Sequence, residues 1–220
     1  MALIKPLLKD GKDPKFTTSY RPISLTSCLG KILEKIIADR LIYVLESKLQ
    51  LNPNQAGFRQ GRSTTDQVLK LVQSVIDRFH QGKGESLTIA TFYDYEKAFD
   101  KVWRDGLLWK MIQLNIPPRF IHYVRNFLST RHTKVEVNNK RSGNFFLDQG
   151  LPQGSAISPL LFLIFINDID TELSPTTLAS LFADDTATWT QGKNKEKDKL
   201  ADSTQKEVDK IAAWAEKWKI

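Results

Sequence analysis

Hydrophobic periodicity predicts two long amphipathic helices in the first part of the chain. The first covers residues 29–49 and the second runs from Ser63 to about His80, because apolar residues recur there every three to four positions. Ser63 and Asp66 have the spacing of a capping box, with Asp in place of the usual Glu or Gln. Residues 81–84 (QGKG) are predicted to end the second helix. The predicted buried faces consist of Leu29, Ile32, Leu33, Ile36, Ile37, Leu41, Val44 and Leu45, and of Val68, Leu69, Val72, Val75, Ile76 and Phe79.

The remaining patterns alternate between strands and helices. Strands are predicted at residues 2–9, in a run that ends at Asp94, and in hairpins at 131–137 with 144–147 and at 178–183 with 186–190. Helices are predicted at residues 104–114, 117–129 and 158–169, followed by a last amphipathic helix. This order predicts an α+β fold, with helices packed on one face of an antiparallel sheet.

Length and composition predict one compact domain, or a domain with a small appendage. The chain has 220 residues, of which 41% are hydrophobic, enough for a core. Its longest apolar run, at residues 160–166, is too short for a membrane span, which needs about 20 residues. The single cysteine, Cys28, excludes an internal disulfide. We therefore expect an intracellular protein, cytoplasmic or nuclear, without membrane contact.

The net charge of +7 is unevenly distributed along the chain. Residues 1–62 carry +6 and residues 63–147 carry +5, whereas residues 148–220 carry −4. This asymmetry suits a protein that binds a polyanion and also recruits cations. Charge alone slightly favours the alternative, an ordinary lysine-rich soluble protein.

Acidic residues stand at the ends of two strand-like segments that are far apart in the sequence. Asp94 ends one apolar run, and Asp184 with Asp185 follows another. An Asp pair at a tight turn is by itself a common structural choice, but its combination with Asp94 favours a functional site. Two-metal phosphoryl transfer uses carboxylates that bridge cations about 3.5–4 Å apart. Magnesium binds few carboxylates together with water and substrate phosphates, so two or three acids suffice.

Five motifs in a fixed order make the sequence similar to one family. The motifs are YRPISL at residues 20–25, GFRQGRST at 57–64, DYEKAFD at 94–100, LPQGSAISPL at 151–160 and FADD at 182–185. In this combination the chain resembles the reverse transcriptase of jockey-like non-LTR retrotransposons over essentially its whole length. The resemblance implies the fingers and palm of a right-hand polymerase. Residues 1–85 would be fingers-like and 86–220 mainly palm, ending before the thumb.

The resemblance also implies a chemical role for the acidic motifs. Asp94, Asp184 and Asp185 would be the catalytic carboxylates and would bind two Mg²⁺ ions, for which Mn²⁺ could substitute, with the carbonyl of Tyr95 as a further ligand. The ions would activate a DNA primer 3′-hydroxyl, which attacks the α-phosphate of a dNTP on an RNA template. The implied activity is RNA-directed DNA polymerisation in retrotransposition.

Other motif residues would bind the substrate. Phe99 would act as a steric gate against a ribose 2′-hydroxyl, and Gln153 and Gly154 would line the nascent base pair. Arg59 and Arg62 are both candidates for the triphosphate, since guanidinium groups bind phosphate oxygens bidentately. Either of them could instead contact the template backbone, and the sequence does not distinguish the two.

The motifs leave two other functions open. Neither the thumb nor the endonuclease domain expected in a full-length element protein is recognisable, so one alternative is a catalytically silent, nucleic-acid-binding remnant. Another is an RNA-directed RNA polymerase, which Phe99 disfavours because such enzymes need room for the ribose hydroxyl.

Overall fold

The computed structural model describes residues 2–82, 85–129 and 132–220. Lys83 and Gly84, which were predicted to end the second helix, and Arg131, the predicted start of a strand, lie outside these residues. The helices are α1 Cys28–Ser47, α2 Thr64–Gln81, α3 Ala98–Lys101, α4 Arg104–Gln113, α5 Pro118–Leu128, α6 Ser158–Ile166 and α7 Lys197–Trp218. The strands are β1 Ala2–Leu8, β2 Tyr20–Leu25, β3 Ser86–Tyr93, β4 His132–Val137, β5 Lys140–Arg141, β6 Phe145–Phe146, β7 Leu178–Phe182 and β8 Asp185–Lys193.

The chain forms two compact units, each built from two stretches of sequence. Unit one comprises Met1–Gln50 and Phe99–Ile164, and unit two comprises Leu51–Ala98 and Phe165–Ile220. Each unit contains its own sheet, and antiparallel pairing dominates both. The predicted α+β fold class is confirmed.

Unit one is built on the strand order β2-β1-β4-β5, with β6 also paired to β4. β1 is antiparallel to β2 but parallel to β4, so this sheet is mixed and not purely antiparallel. The pairing of β6 with β4 confirms the hairpin predicted near residues 132–147. The fully buried residues of this unit include Leu41, Leu45, Leu107, Met111 and Val124.

Helix α1 has a different buried face from the predicted one. Leu41 and Leu45 are buried as expected, but Leu29 is 79% exposed, and Ile32, Leu33 and Ile36 are also exposed. Glu34 is buried in their place, two turns before Leu41 and three turns before Leu45 on the same helical stripe. The prediction failed because a buried carboxylate with hydrogen-bond partners occupies the inward face at this end of the helix.

Unit two contains the sheet β3-β8-β7. β3 and β8 pair from Ser86–Lys193 to Tyr93–Thr186, and β7 and β8 form a hairpin closed by the pair Phe182–Asp185. The predicted second hairpin and the predicted strand before Asp94 are therefore confirmed. Because Tyr93 is opposite Thr186, the residue that follows β3 lies beside the turn of the hairpin.

Helices contact both faces of this sheet, which differs from the predicted one-sided packing. Trp189 Nε1 donates to Ser74 Oγ of α2 at 2.9 Å, whereas the hydroxyl of the next residue, Thr190, bonds Thr204 of α7 at 2.6 Å. Consecutive strand residues point to opposite faces, so α2 and α7 lie on opposite sides.

The apolar stripe of α2 faces away from the sheet. The capping box of Ser63 and Asp66 is present as predicted, but Val68, Leu69, Val72, Val75, Ile76 and Phe79 are all exposed. The sheet-facing positions are held by residues such as Gln67 and Ser74, which bond Ser180 and Trp189. Buried polar groups on the strands need hydrogen-bond partners, and α2 supplies them with its polar face.

Aromatic residues of α7 complete the core of unit two. Trp214 and Trp218 are each 5% exposed and pack edge-on against Phe165. In the part of the chain that the structure describes, no helix has the length and apolar character required to cross a bilayer.

Candidate active site

The paired acids lie on a tight hairpin turn. Ala183 and Asp184 form the turn between the paired residues Phe182 and Asp185. Ala183 has a φ of +56°, a left-handed conformation that costs a residue with a Cβ about 1–2 kcal/mol. Asp94 directly follows β3, whose last residue pairs with Thr186. The register of this sheet thus brings the acidic segments, ninety positions apart, to one edge.

The electrostatics of Asp184 reflect this clustering. Burial, and then the negative charges of Asp185 and Asp94, raise the pKa of the half-buried Asp184 carboxyl above its usual range. Asp94 and Asp185 are exposed to solvent. The three carboxylates are therefore close enough to repel one another, which is the condition that a bound cation relieves.

The donor set fits a divalent cation of the magnesium type. Carboxylate oxygens are the hard ligands that Mg²⁺ prefers, and this ion normally completes its shell with water and substrate phosphates. Among the described residues, no group of three or more His, Cys, Asp or Glu side chains is arranged so that it could hold a metal ion by itself. A site with so few carboxylates would take its remaining oxygens from water and substrate phosphates.

Tyr95, the further predicted ligand, follows Asp94 at the end of β3. Its side chain is half-buried, and burial raises the pKa of its hydroxyl well above the usual range. A ring anchored in this way restricts the main chain that carries the Tyr95 carbonyl.

The two candidate arginines have different surroundings. Arg59 is 8% exposed, and its Nη1 donates to the carbonyls of Asn52 at 2.7 Å and Gln55 at 3.1 Å. Arg62 is exposed, although its Nη1 also donates to the carbonyls of Pro53 and Gln55. Arg59 therefore braces the loop that carries it, while Arg62 stands at the surface.

The Pro-Gln-Gly motif belongs to unit one and is held by polar contacts. Gln153 Nε2 donates to Asp100 Oδ1 at 2.9 Å, and the Gln153 carbonyl accepts the Ser24 N–H at 2.7 Å. Gly154 has a φ of +97°, and a Cβ there would lie 3.1 Å from the Ser24 carbonyl oxygen. Glycine is required at this position by its own turn and by the neighbouring strand β2.

Phe99 is packed and half-buried in unit one. Its ring stacks on Phe162 with centroids 4.4 Å apart and an interplanar angle of 15°. This packing holds the ring in a defined orientation, as a steric gate requires.

Sequence reasoning missed two buried polar residues that hold the motifs in place. The Glu34 carboxylate accepts the Ser155 hydroxyl at 2.6 Å and the Ala156 N–H at 2.8 Å. Gln55 is 2% exposed and bonds Ala183 next to the acidic pair. Glu34 could have been noticed as a charged residue that continues the stripe of Leu41 and Leu45. Gln55 could have been noticed as a polar residue two positions before the GFRQGRST motif.

Comparison with known proteins agrees with this geometry. The model of the reverse transcriptase (RNA-dependent DNA polymerase) family matches residues 9–220. The chain is 34% identical to the probable RNA-directed DNA polymerase from transposon BS of Drosophila melanogaster, over 99% of this chain and 24% of the relative. It is 33% identical to the RNA-directed DNA polymerase from mobile element jockey of the same species, over 96% of this chain and 23% of the relative.

The chain therefore belongs to the reverse transcriptase family and is homologous to the RNA-directed DNA polymerases of non-LTR retrotransposons. It spans about a quarter of the length of these curated relatives.

Solved structures show the same fold. Apo telomerase from Candida tropicalis, truncated from its C-terminal domain, superposes with a TM-score of 0.67 at 13% identity, covering 96% of this chain and 46% of that one. Telomerase of the same species in complex with a telomeric RNA fragment gives a TM-score of 0.65 at 13% identity, covering 92% of this chain and 37% of that one. The likeness supports a polymerase-type fold.

Proposed function

We propose that this chain is the catalytic core of an RNA-directed DNA polymerase that extends a DNA primer on an RNA template during retrotransposition. The observation that carries the proposal is the β3–β8 register, which brings Asp94 beside the Asp184–Asp185 turn at one sheet edge. Family membership supplies the substrate class. The positive charge of residues 1–147 suits a nucleic-acid partner, whose affinity is dominated by phosphate contacts.

The roles of the acidic residues follow from their positions. Asp94 and Asp184 would hold two Mg²⁺ ions, with Mn²⁺ as a possible substitute, and Asp185 and the Tyr95 carbonyl would contribute further oxygens. When bound, such ions lower the pKa of a primer 3′-hydroxyl and neutralise charge on the triphosphate. The carboxylates orient this positive charge because the hairpin and β3 fix their main chains. Their mutual repulsion is the driving force for recruiting cations.

Primer extension tests the proposal directly. The purified chain is given an RNA template, a DNA primer, dNTPs and Mg²⁺, and extension is followed on a gel. Extension that requires both the template and Mg²⁺ supports the polymerase. Salt-sensitive template binding without extension would instead support the silent nucleic-acid-binding remnant.

Selectivity against ribonucleotides tests the proposed gate. Phe99→Ala should raise the relative use of rNTPs over dNTPs by about tenfold or more, because a removed clash is worth at least about 1.4 kcal/mol. The measurement is the ratio of kcat/KM for matched rNTP and dNTP pairs. Phe162→Ala is the control, since it removes the same ring stack but keeps the Phe99 ring, so it should change selectivity less than Phe99→Ala does. Unchanged selectivity in Phe99→Ala, or an equal change in both variants, would contradict the gate.

Arg59 and Arg62 differ in their exposure to solvent, and this difference indicates which of them can reach a substrate. We assign the triphosphate contact to Arg62, because Arg59 is buried and bonds main-chain carbonyls. Arg62→Ala should raise the KM for dNTP by about tenfold, as expected for a lost hydrogen bond to a charged group. Arg59→Ala should instead lower the free energy of unfolding by about 1–3 kcal/mol, since it removes two buried hydrogen bonds from a charged guanidinium to the carbonyls of Asn52 and Gln55. Steady-state kinetics and urea denaturation distinguish the two, and the reversed pattern would assign the contact to Arg59.

A further inference from the structure

We propose that Gln55 is a positioning residue that holds the turn bearing Asp184 in its working geometry, an inference that rests on the proposed polymerase function. Its Oε1 accepts the N–H of Ala183 at 2.9 Å and that of Gly57 at 2.8 Å. Its Nε2 donates to the Ala183 carbonyl at 3.3 Å. One side-chain amide therefore binds both main-chain polar groups of the residue that precedes Asp184.

The turn needs external support because of its backbone. Ala183 lies in the left-handed region at a φ of +56°, which is unfavourable for a residue with a Cβ. In this conformation the N–H and the carbonyl of Ala183 both bond the Gln55 side-chain amide, so the two hydrogen bonds and the left-handed turn depend on each other. The two bonded residues are 128 positions apart in the sequence. Their hydrogen bonds are buried and are therefore shielded from competition by water.

The main chain beside Gln55 extends the same contact. Ala56 N–H donates to the Leu181 carbonyl at 2.9 Å, and Leu181 N–H donates to the Asn54 carbonyl at 3.0 Å. A Cβ on Gly57 would lie 2.2 Å from the Ala183 nitrogen, far inside contact distance. The loop therefore approaches β7 and its turn so closely that only glycine fits at position 57.

The chemical nature of the contact suits a cation site. Asp184 and Asp185 are adjacent, and the register of β3 and β8 brings Asp94 beside their turn, so an unrestrained turn would relax by moving these like charges apart. A lysine or arginine clamp would hold the turn but would also neutralise the carboxylates and compete with cations. The neutral amide of Gln55 restrains the backbone through Ala183 and leaves the negative charge available.

The experiment compares two glutamine amides of unit two, the buried Gln55 and the half-buried Gln191. Gln55→Met removes the contacts to Ala183 at nearly constant volume. Gln191→Met is the matched control. Gln191 Nε2 donates to the carbonyl and the hydroxyl of Ser74, and Gln191 pairs with Thr88, near the end of β3 that is far from Asp94. Three quantities are measured on the full chain: Mn²⁺ affinity by electron paramagnetic resonance, exchange of the Ala183 amide by NMR, and kcat and KM for dNTP.

We expect Gln55→Met to weaken Mn²⁺ binding about tenfold and to lower kcat by a similar factor, the usual effect of losing a group that orients a metal ligand. The KM for dNTP should stay within about twofold, and Ala183 amide exchange should accelerate. Gln191→Met should leave all of these within about twofold, even if both variants lose equal thermal stability.

A second variant reaches the same turn without touching the amide. The methyl group of Gly57→Ala must displace Ala183, so Mn²⁺ affinity and kcat should fall as they do in Gln55→Met. Gly143→Ala is its control, since a Cβ there meets nothing within 4 Å.

Unchanged Mn²⁺ affinity and Ala183 exchange in Gln55→Met, or equal changes in Gln191→Met, would overturn the proposal. Failure of the polymerase function itself would appear differently, as no extension by the unsubstituted chain. The binding and exchange measurements would then still decide whether Gln55 holds the turn.

Discussion

Asp184→Asn should abolish primer extension without destabilising the chain. The amide keeps the size of the side chain but removes a negative charge from the proposed cation site, so kcat/KM should fall by about a thousandfold or more, equivalent to several kcal/mol of transition-state stabilisation. Burial and the neighbouring acids raise the pKa of Asp184, so its ionised form opposes folding above that pKa. In the absence of divalent cations at neutral pH, the variant should therefore have a higher Tm than the parent chain.

The sign of the stability effect can be checked with pH. Because the folded-state pKa of Asp184 lies above the ordinary value of 3.8, lowering the pH well below 3.8 makes the carboxyl neutral in both the folded and the unfolded state. The Tm difference between Asp184→Asn and the parent should disappear there. Differential scanning calorimetry without metal, at neutral and acidic pH, measures it.

Asp170→Asn is the matched control for this experiment. The Asp170 carboxylate accepts bonds from Asn52 Nδ2 at 2.5 Å and Asn54 Nδ2 at 2.8 Å, so it is a structural acid of unit two. Its loss should lower the Tm while primer extension stays within about threefold of the parent. Extension by Asp184→Asn within about tenfold of the parent would contradict the catalytic assignment.

Gly150→Ala should lower the free energy of unfolding by about 2–5 kcal/mol. Gly150 has a φ of +79°, which costs alanine about 1–2 kcal/mol, and overpacking adds about 1–3 kcal/mol. The new Cβ would lie 2.4 Å from the Asp100 carbonyl oxygen and 2.9 Å from its Cα. Urea denaturation with linear extrapolation measures the loss.

The same substitution should also reduce polymerase activity. The Gly150 N–H donates to the Val102 carbonyl and the Leu151 N–H donates to the Phe99 carbonyl, both at 2.8 Å. These two bonds join the segment that carries Phe99 to the one that continues into Gln153. A methyl group between them would displace both proposed substrate contacts.

Gly61→Ala separates backbone strain from steric contact. Gly61 has a φ of +72°, similar to that of Gly150, but a Cβ there meets nothing within 4 Å. Its substitution should cost only the strain, about 1–2 kcal/mol. If Gly61→Ala and Gly150→Ala lowered the free energy of unfolding equally, the close contact of the new Cβ with Asp100 would contribute nothing, which would contradict our expectation.

Local patterns were sufficient to predict the elements that carry the candidate site. The strand before Asp94, the hairpin around Asp184 and the capping box of Ser63 and Asp66 all appear as predicted. Each of these signals is contained in a short stretch of sequence, because strand alternation, turn residues and caps act between near neighbours. The roles assigned to the motif residues remain predictions that the experiments above test.

Periodicity alone could not predict which helix face is buried. In α2 the residues Gln67, Leu71 and Ser74 follow the same three-to-four spacing as the exposed apolar residues. This stripe, which is polar at Gln67 and Ser74, is the one that meets the sheet. Which face of α2 is buried depends on the hydrogen bonds that Ser180 and Trp189 require, and these residues come more than a hundred positions later in the sequence. The contacts of Glu34 and Gln55 escaped prediction for the same reason, since their partners are brought close only by the folded chain.

The interleaving of the two units has a consequence for how this protein is made. Ser86 of β3 pairs with Lys193 of β8, so the sheet that carries the acids cannot form until the ribosome has released the chain as far as Lys193. Before β3 can pair with β8, the intervening stretch Phe99–Ile164 must form a closed loop, which costs entropy. Such costs slow the folding of proteins whose contacts are mostly distant in sequence. During synthesis, β3 is an unpaired apolar strand of the kind that associates with other chains. Expression at low temperature or with chaperones should therefore raise the yield of folded protein more than for a domain with local topology.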